Sequence, residues 1–261
     1  MTLIIGVRCS DGIVMGADGA ATLGTIFGQG TVMQPVKKLQ RLADRFMIGV
    51  SGPVGVGQRI SGTIAQLWNS GQLNNLQSSQ VMQCIRQSLG PMLLLEITYA
   101  SEAAKLIGAA AQQAALAQTL LAAPFDGQLR LYHFGCTGEP EEITDNIPFV
   151  TIGSGQNLAD PFLAFLRTIF WKDSIPNMAE GVFAIFWSLR HAIRRNTGGV
   201  ADPIQIMTLQ KQGENSFLVK ELESTELEET EQAVKAAEEH LSQFKHAKGE
   251  PPPAAPATAS E

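Results

Sequence analysis

Cysteine is scarce in this chain. Cys9, Cys84 and Cys136 are the only three among 261 residues, an odd number, widely spaced and outside any paired motif. That argues against a disulfide framework and against a thiolate metal cluster. The four histidines, His133, His191, His240 and His246, have no spacing that builds a metal site with those cysteines. Long apolar runs are missing too: none approaches the roughly 20 residues of a membrane span, and nothing resembles a secretion signal. A soluble, cytoplasmic protein with reduced thiols and no membrane association is expected. Basic charge is also lacking. The net charge is −6, which argues against nucleic acid as a partner. Most of that charge is local, because nine Glu against four Lys between Lys220 and Glu250 give a net of −5 and leave the rest nearly neutral. No Gly-x-Ser-x-Gly elbow is present. The glycines of Gly52 to Gly57 are not followed by Lys-Ser/Thr, nor by an acidic residue about 20 positions on, so a phosphate loop is excluded and no cofactor is expected.

What is present is a large core. The apolar fraction of 44% suits one domain of roughly 200 to 220 residues plus a tail. Leu3–Arg8 and Gly12–Ala17 are short β-branched runs separated by Cys9-Ser10-Asp11-Gly12, a hairpin signal. A Gly- and Thr-rich stretch follows Asp18. Phe46–Val50 reads as a strand running into Ser51-Gly52-Pro53, and Ile60, Ile64, Leu67 and Trp68 then recur at helical spacing. A second helical region is predicted from about Ser79 to Leu121, broken near Gly90-Pro91. Leu129–Phe134 and Phe149–Ile152 are strand candidates, and helices are predicted from about Asn157 to Trp171 and from Met178 to Arg195. A strand pair, Ile204–Leu209 and Ser216–Glu221, closes the domain.

That order is not the strict alternation of a doubly wound parallel sheet. It fits an α+β fold of two mainly antiparallel sheets with helices outside. Beyond Leu222 a charged helix is predicted over 223–248, with Leu227, Val234 and Leu241 seven apart. A coiled-coil seam and packing on the parent domain both fit that spacing. The Pro/Ala-rich end, 249–261, reads as disordered.

The chemistry begins at Thr2. Met1 followed by a small residue is a substrate for the aminopeptidase that trims new chains. Its removal puts an amine and a hydroxyl on one threonine. A free α-amine titrates near pH 8, so part of it is unprotonated at neutral pH, and the residue can supply both nucleophile and base.

Five short stretches then occur in one order: Thr2-Leu3-Ile4-Ile5-Gly6, Gly16-Ala17-Asp18-Gly19-Ala20-Ala21-Thr22, Val36-Lys37-Lys38-Leu39, Gly49-Val50-Ser51-Gly52 and Ile152-Gly153-Ser154-Gly155. Together they resemble the β-type subunits of the proteasome family, over about residues 2–222. The resemblance implies a four-layer αββα sandwich, the fold of N-terminal nucleophile hydrolases. It implies Thr2 as nucleophile, Asp18 as the buried acid, Lys38 as the lysine beside the nucleophile, and Ser154 as a hydrogen-bond partner of the terminal amine. Gly52 matches the oxyanion-binding backbone N–H. Ala21 and Thr22 match positions pairing with extended substrate, and Val50 and Val54 match the floor and wall of its first side-chain pocket, although both also read as ordinary core. One departure stands out. Where the family carries an Asp and a Ser ahead of two glycines, this chain reads Arg194-Arg195-Asn196-Thr197-Gly198-Gly199. Thr197 can replace the serine and Asn196 can accept a hydrogen bond, but no carboxylate is present, which implies low activity.

The implied activity is that of a threonine-type endopeptidase acting on peptides or unfolded protein. Its subunits are expected to close into stacked rings, with an ATP-dependent unfoldase as partner. A catalytically weak ring-forming scaffold and an amidase acting on small amides are the alternatives.

Overall fold

The structure, a computed structural model, describes residues 2–26, 29–108, 116–172, 174–195, 199–213 and 216–243, with the side chains of 22–33 outside that description. Two five-stranded antiparallel sheets form its centre. The first has the order β10 (Phe149–Ile152), β1 (Ile4–Arg8), β2 (Gly12–Ala17), β11 (Gln205–Lys211), β12 (Phe217–Glu221). The second has the order β5 (Leu39–Leu42), β6 (Phe46–Ser51), β7 (Gln118–Phe125), β8 (Gln128–Phe134), β9 (Pro140–Ile143). A separate hairpin, β3 (Ala20–Ile26) and β4 (Gln29–Pro35), rises beside them.

Side-chain alternation along each strand builds the layers. In β1 and the residue before it, Leu3, Ile5 and Val7 belong to one apolar core while Ile4 belongs to another. The first core lies under α3 (Gln156–Leu166) and α4 (Met178–Arg195), where Leu163, Leu166, Ile185 and Leu189 meet it. Ile4, Ile13, Met15, Met47, Leu120 and Leu131 form the core between the sheets. In β6, Phe46 and Ile48 point away from the centre, against Ile60 and Ile64 of α1 (Val54–Asn69) and Val81 and Ile85 of α2 (Ser78–Ile107). The result is helix, sheet, sheet, helix, the αββα sandwich.

The structure corrects the helical region expected over 79–121. α2 runs without a break through Pro91. Pro91 and Gln87 are both exposed, so the carbonyl left without its i+4 donor faces water rather than a core. From Gln118 the chain is strand, because β7 is enclosed between β6 and β8 with Leu120 opposite Gly49 and His133; ladder pairing overrides local propensity there. Residues 109–115 of that prediction lie outside the described residues. The β3–β4 hairpin is a gain over the Gly- and Thr-rich stretch, which carried no assignment.

α5 (Ser224–Gln243) follows the last strand and lies on α4. Val234 is buried in the α3–α4 core, with Leu227 and Ala237 packed beside it, whereas Leu241 is exposed. Of the two readings of the seven-residue spacing, packing on the parent domain is the one seen. Arg190 pairs with Glu231, Arg194 Nη1 lies 3.0 Å from Glu238 Oε1, and Trp187 Nε1 donates to the same oxygen at 3.1 Å. Val234→Asp buries a charge without a partner and is expected to weaken attachment of α5 by on the order of 3 kcal/mol. Limited proteolysis reads this as early cleavage between Leu222 and Val234. The expectation for 249–261 lies outside the described residues, as do residues 244–248.

Candidate functional site

Thr2 precedes β1 and is held from both sides through its backbone. Its carbonyl accepts from Gly155 N at 3.1 Å, and its nitrogen donates to Ser154 Oγ at 3.1 Å. On the other side Leu3 N donates to Asp18 Oδ1 at 2.8 Å while Asp18 N donates to Leu3 O at 3.1 Å. Gly153 is required by this closeness: it sits at φ +98°, and a Cβ there would lie 2.2 Å from the Thr2 carbonyl oxygen. With Met1 in place the Thr2 nitrogen is a peptide amide. Its removal turns the same atom into an α-amine beside Ser154.

Asp18 follows β2 and is fully buried. Buried carboxylates need partners, and this one has four donors: Leu3 N, Lys38 Nζ at 2.7 Å, Ala20 N at 3.3 Å and Ala201 N at 3.4 Å. Lys38 is itself only 7% exposed along its side chain. Its pKa lies below the ordinary lysine value because burial disfavours the ammonium more than the contact with Asp18 supports it.

Thr2 and Lys38 open on one cavity of about 300 Å³, which is also lined by Ala21, Val50, Gly52 and Val54. Gly52, at φ +126°, turns the chain from β6 into α1, and a Cβ there would come within 2.6 Å of the Leu116 carbonyl oxygen. Val54 is 57% exposed at the rim, whereas Val50 is half-buried and packs against the α1–α2 core. Ser154 meets the Thr2 backbone from outside that lining. The backbone of Thr22 continues β3 beside Ala21; its side chain is not among those described. Asn196 and Thr197 lie outside the described residues. Of the two arginines before them, Arg194 is turned to Glu238.

Sequence reasoning missed part of the surround. Gln40, Gln58 and Ser61 line the cavity, as do Val36, Lys37 and Ile48. Lys37 Nζ is 2.9 Å from both carboxylate oxygens of Glu221, so its charge already has a partner. Ala201 and Gln205 reach the Asp18–Lys38 pair from β11 and the loop before it. No local motif marks them; only the pairing of β11 with β2 brings them there.

A half-buried threonine at the start of a strand, backed by a buried lysine–aspartate pair within an αββα sandwich, defines the class of N-terminal nucleophile hydrolase folds. The sequence profile described as Proteasome subunit matches residues 2–165, and the chain belongs to that family. Among solved structures it is similar to Anbu (ancestral beta-subunit) from Yersinia bercovieri, at 14% identity and TM-score 0.68 over 96% of this chain and 99% of that one. It is also similar to an Anbu (Gly-1) mutant from Hyphomicrobium sp. strain MC1, at 17% identity and TM-score 0.66 over 96% and 99%. A helical assembly of the Anbu complex from Pseudomonas aeruginosa gives 14% identity and TM-score 0.67 over 97% and 99%. At these identities the likeness speaks to the fold. Comparison with curated protein sequences gives no match. Among the described residues no helix is long and apolar enough to cross a membrane.

Proposed function

We propose that this chain is a cytoplasmic threonine peptidase subunit whose domain, residues 2–222, hydrolyses peptide bonds through an acyl ester on Thr2 after Met1 is removed. The observation that carries the reading is the meeting of Thr2, Lys38 and Gly52 around one cavity, with Asp18 buried behind the lysine. The Lys38 ammonium lowers the pKa of the neighbouring α-amine by like-charge repulsion, and Asp18 holds that ammonium in place. The neutral amine takes the proton of the Thr2 hydroxyl as the oxygen attacks the substrate carbonyl. Gly52 N–H donates to the resulting oxyanion, an interaction whose loss typically costs about 2.7–4 kcal/mol. The C–N bond breaks, the proton passes to the leaving amine, and an ester remains on Thr2. Water, deprotonated by the same amine, then attacks the ester; the bond between the acyl carbon and Thr2 Oγ breaks, the amine returns its proton to that oxygen, and the acid is released.

Val50, Val54 and Ala21 give the side-chain pocket apolar walls, and Gln40, Gln58 and Ser61 add neutral polar ones. With Lys37 paired to Glu221, substrates with neutral, mainly apolar side chains before the cut are favoured. A panel of fluorogenic peptides is expected to rank apolar above acidic or basic residues at that position by about tenfold or more, on the order of what burying an unpaired charge costs. Intact-mass measurement is expected to show loss of Met1. Retained Met1 together with no turnover of any peptide would refute the reading, and turnover of small amides without peptides would replace it with an amidase.

Self-association belongs to the same proposal, because the family's active sites work inside assemblies and a similar Anbu complex forms a helical one. Stacked rings feeding on unfolded protein from an ATP-driven unfoldase are the expected arrangement, and native mass spectrometry tests it. The second reading, a weakly active scaffold, is favoured by one observation: the Arg194 to Gly199 stretch carries no carboxylate to orient the amine.

A further inference from the structure

Lys38 sits just outside regular structure. Residues 36–38 fall between β4 and β5 and take part in no ladder, yet the ammonium of Lys38 is placed 2.7 Å from Asp18. Val36 N donates to Gly19 O at 2.8 Å and holds the start of this segment, but a flexible four-carbon side chain two residues further on needs another anchor. The support comes from Gln205, the first residue of β11. Its Oε1 accepts from Lys38 N at 2.9 Å and from Leu39 N at 3.4 Å, and its Nε2 donates to Val36 O at 2.9 Å. One planar carboxamide thus replaces the missing strand edge, meeting two donors and one acceptor in a row. Gln205 is also directly opposite Ala17 in the β2–β11 ladder, one residue before Asp18. The base of the clamp and the acid therefore hang from the same pair of strands, and Ala201, four residues earlier, donates to Asp18 Oδ2 and accepts from Gly19 N at 2.9 Å.

We propose that Gln205 is a positioning residue for the reaction: its carboxamide fixes the backbone of residues 36–39 so that Lys38 stays over Asp18 and beside Thr2. The inference rests on the peptidase reading above for its effect on rate, and on geometry alone for its effect on Lys38. Gln205 is not among the residues lining the cavity, so it acts through the lysine and not through substrate. The three bonds require a carboxamide, with one acceptor oxygen and one donor nitrogen, on a stem long enough to reach the segment. Glutamate accepts from Lys38 N and Leu39 N but has no hydrogen for Val36 O, and it sets a negative charge near the lysine. Methionine keeps the size and loses all three bonds. Among the described residues Lys38 faces the Asp18 carboxylate, and the neighbouring Lys37 is itself turned to Glu221 of β12; removal of Met1 adds the Thr2 amine.

Two measurements on the full-length assembled protein test this. In steady-state peptide hydrolysis Gln205→Met is expected to lower kcat by about 10- to 100-fold, the order of effect of displacing a catalytic group by about 1 Å, with KM changed by less than about threefold. Gln205→Glu is expected to move the acid limb of the kcat/KM profile to higher pH, because a nearby carboxylate favours the protonated lysine and amine. Competitive acetylation with acetic anhydride, read by peptide mass spectrometry across pH, follows Lys38 without any need for turnover. It is expected to report a higher apparent pKa for Lys38 in Gln205→Glu. If the wild type cleaves no peptide, the peptidase reading fails and the acetylation alone decides the role of Gln205. Gln205→Met failing to fold leaves the decision with Gln205→Glu. Lys38 titrating in Gln205→Glu as in the wild type overturns the proposal, and so does Gln205→Met with unchanged kcat.

Discussion

Thr2→Ala is expected to abolish peptide hydrolysis and leave the fold and assembly as they were. Removal of a catalytic nucleophile costs on the order of 10⁴-fold or more in kcat. Ser154 Oγ is engaged with the Thr2 nitrogen and carbonyl, at 3.1 and 3.5 Å. The substitution deletes only the γ atoms. Among the described residues the bonds holding residue 2 in place, from Gly155 N and to Ser154 Oγ, are made by its backbone, so the chain start keeps its position between Asp18 and the 153–155 turn. Unchanged native mass and thermal unfolding in the mutant would show that the loss is chemical. Thr2→Ser keeps the hydroxyl and should keep activity. Hydrolysis that survives in Thr2→Ala would mean that Thr2 is not the nucleophile.

Much of what surrounds Thr2 was legible from the chain because it is local. The hairpin at Asp11-Gly12, the helical spacing of Ile60, Ile64 and Leu67, and the ends of α4 are decided by residues a few positions apart, and the structure places them as expected. The candidates Thr2, Ala21, Lys38, Val50 and Gly52 came from short stretches in order and Val54 from the family resemblance they carry, and all six line one cavity.

The rest depended on pairing at a distance. Thr119 to Ala122 carry no strand pattern of their own, being buried on both faces between β6 and β8, so an Ala- and Gln-rich approach looked helical. Pro91 looked like a helix break because its exposed setting in a 30-residue helix is a property of the surface and not of the dipeptide. Gln205 illustrates the limit most directly. Nothing beside it in sequence distinguishes it from another strand residue, and its three bonds reach back 166 to 169 positions to the segment of Lys38.

The pair behind Thr2 should be as important to stability as to rate. Asp18→Asn is nearly isosteric, but the amide replaces an acceptor by a donor where Leu3 N, Ala20 N, Ala201 N and Lys38 Nζ all point at oxygens. It also takes from the buried Lys38 ammonium the carboxylate that lies 2.7 Å from it. Breaking one side of a buried pair costs about 3–5 kcal/mol, which for a domain of this size is a fall in Tm on the order of 10 °C, measured at fixed protein concentration because assembly shifts apparent stability. Lys38 is already below its ordinary value of 10.5. Between its folded value and 10.5 the unfolded chain binds more protons, so this group's contribution to stability is complete above 10.5 and is lost as pH falls through the folded value. Without Asp18 the folded value drops further and the window widens toward neutral pH. Asp18→Asn/Lys38→Met removes both charges and is expected to recover most of the lost Tm, since a buried pair replaced by neutral groups is often no less stable. Activity should not return, because no ammonium remains to lower the pKa of the Thr2 amine. Recovery of stability without recovery of rate separates the structural from the chemical role of the pair. A double mutant no more stable than Asp18→Asn would show that the cost lies in the three backbone donors and not in the stranded lysine.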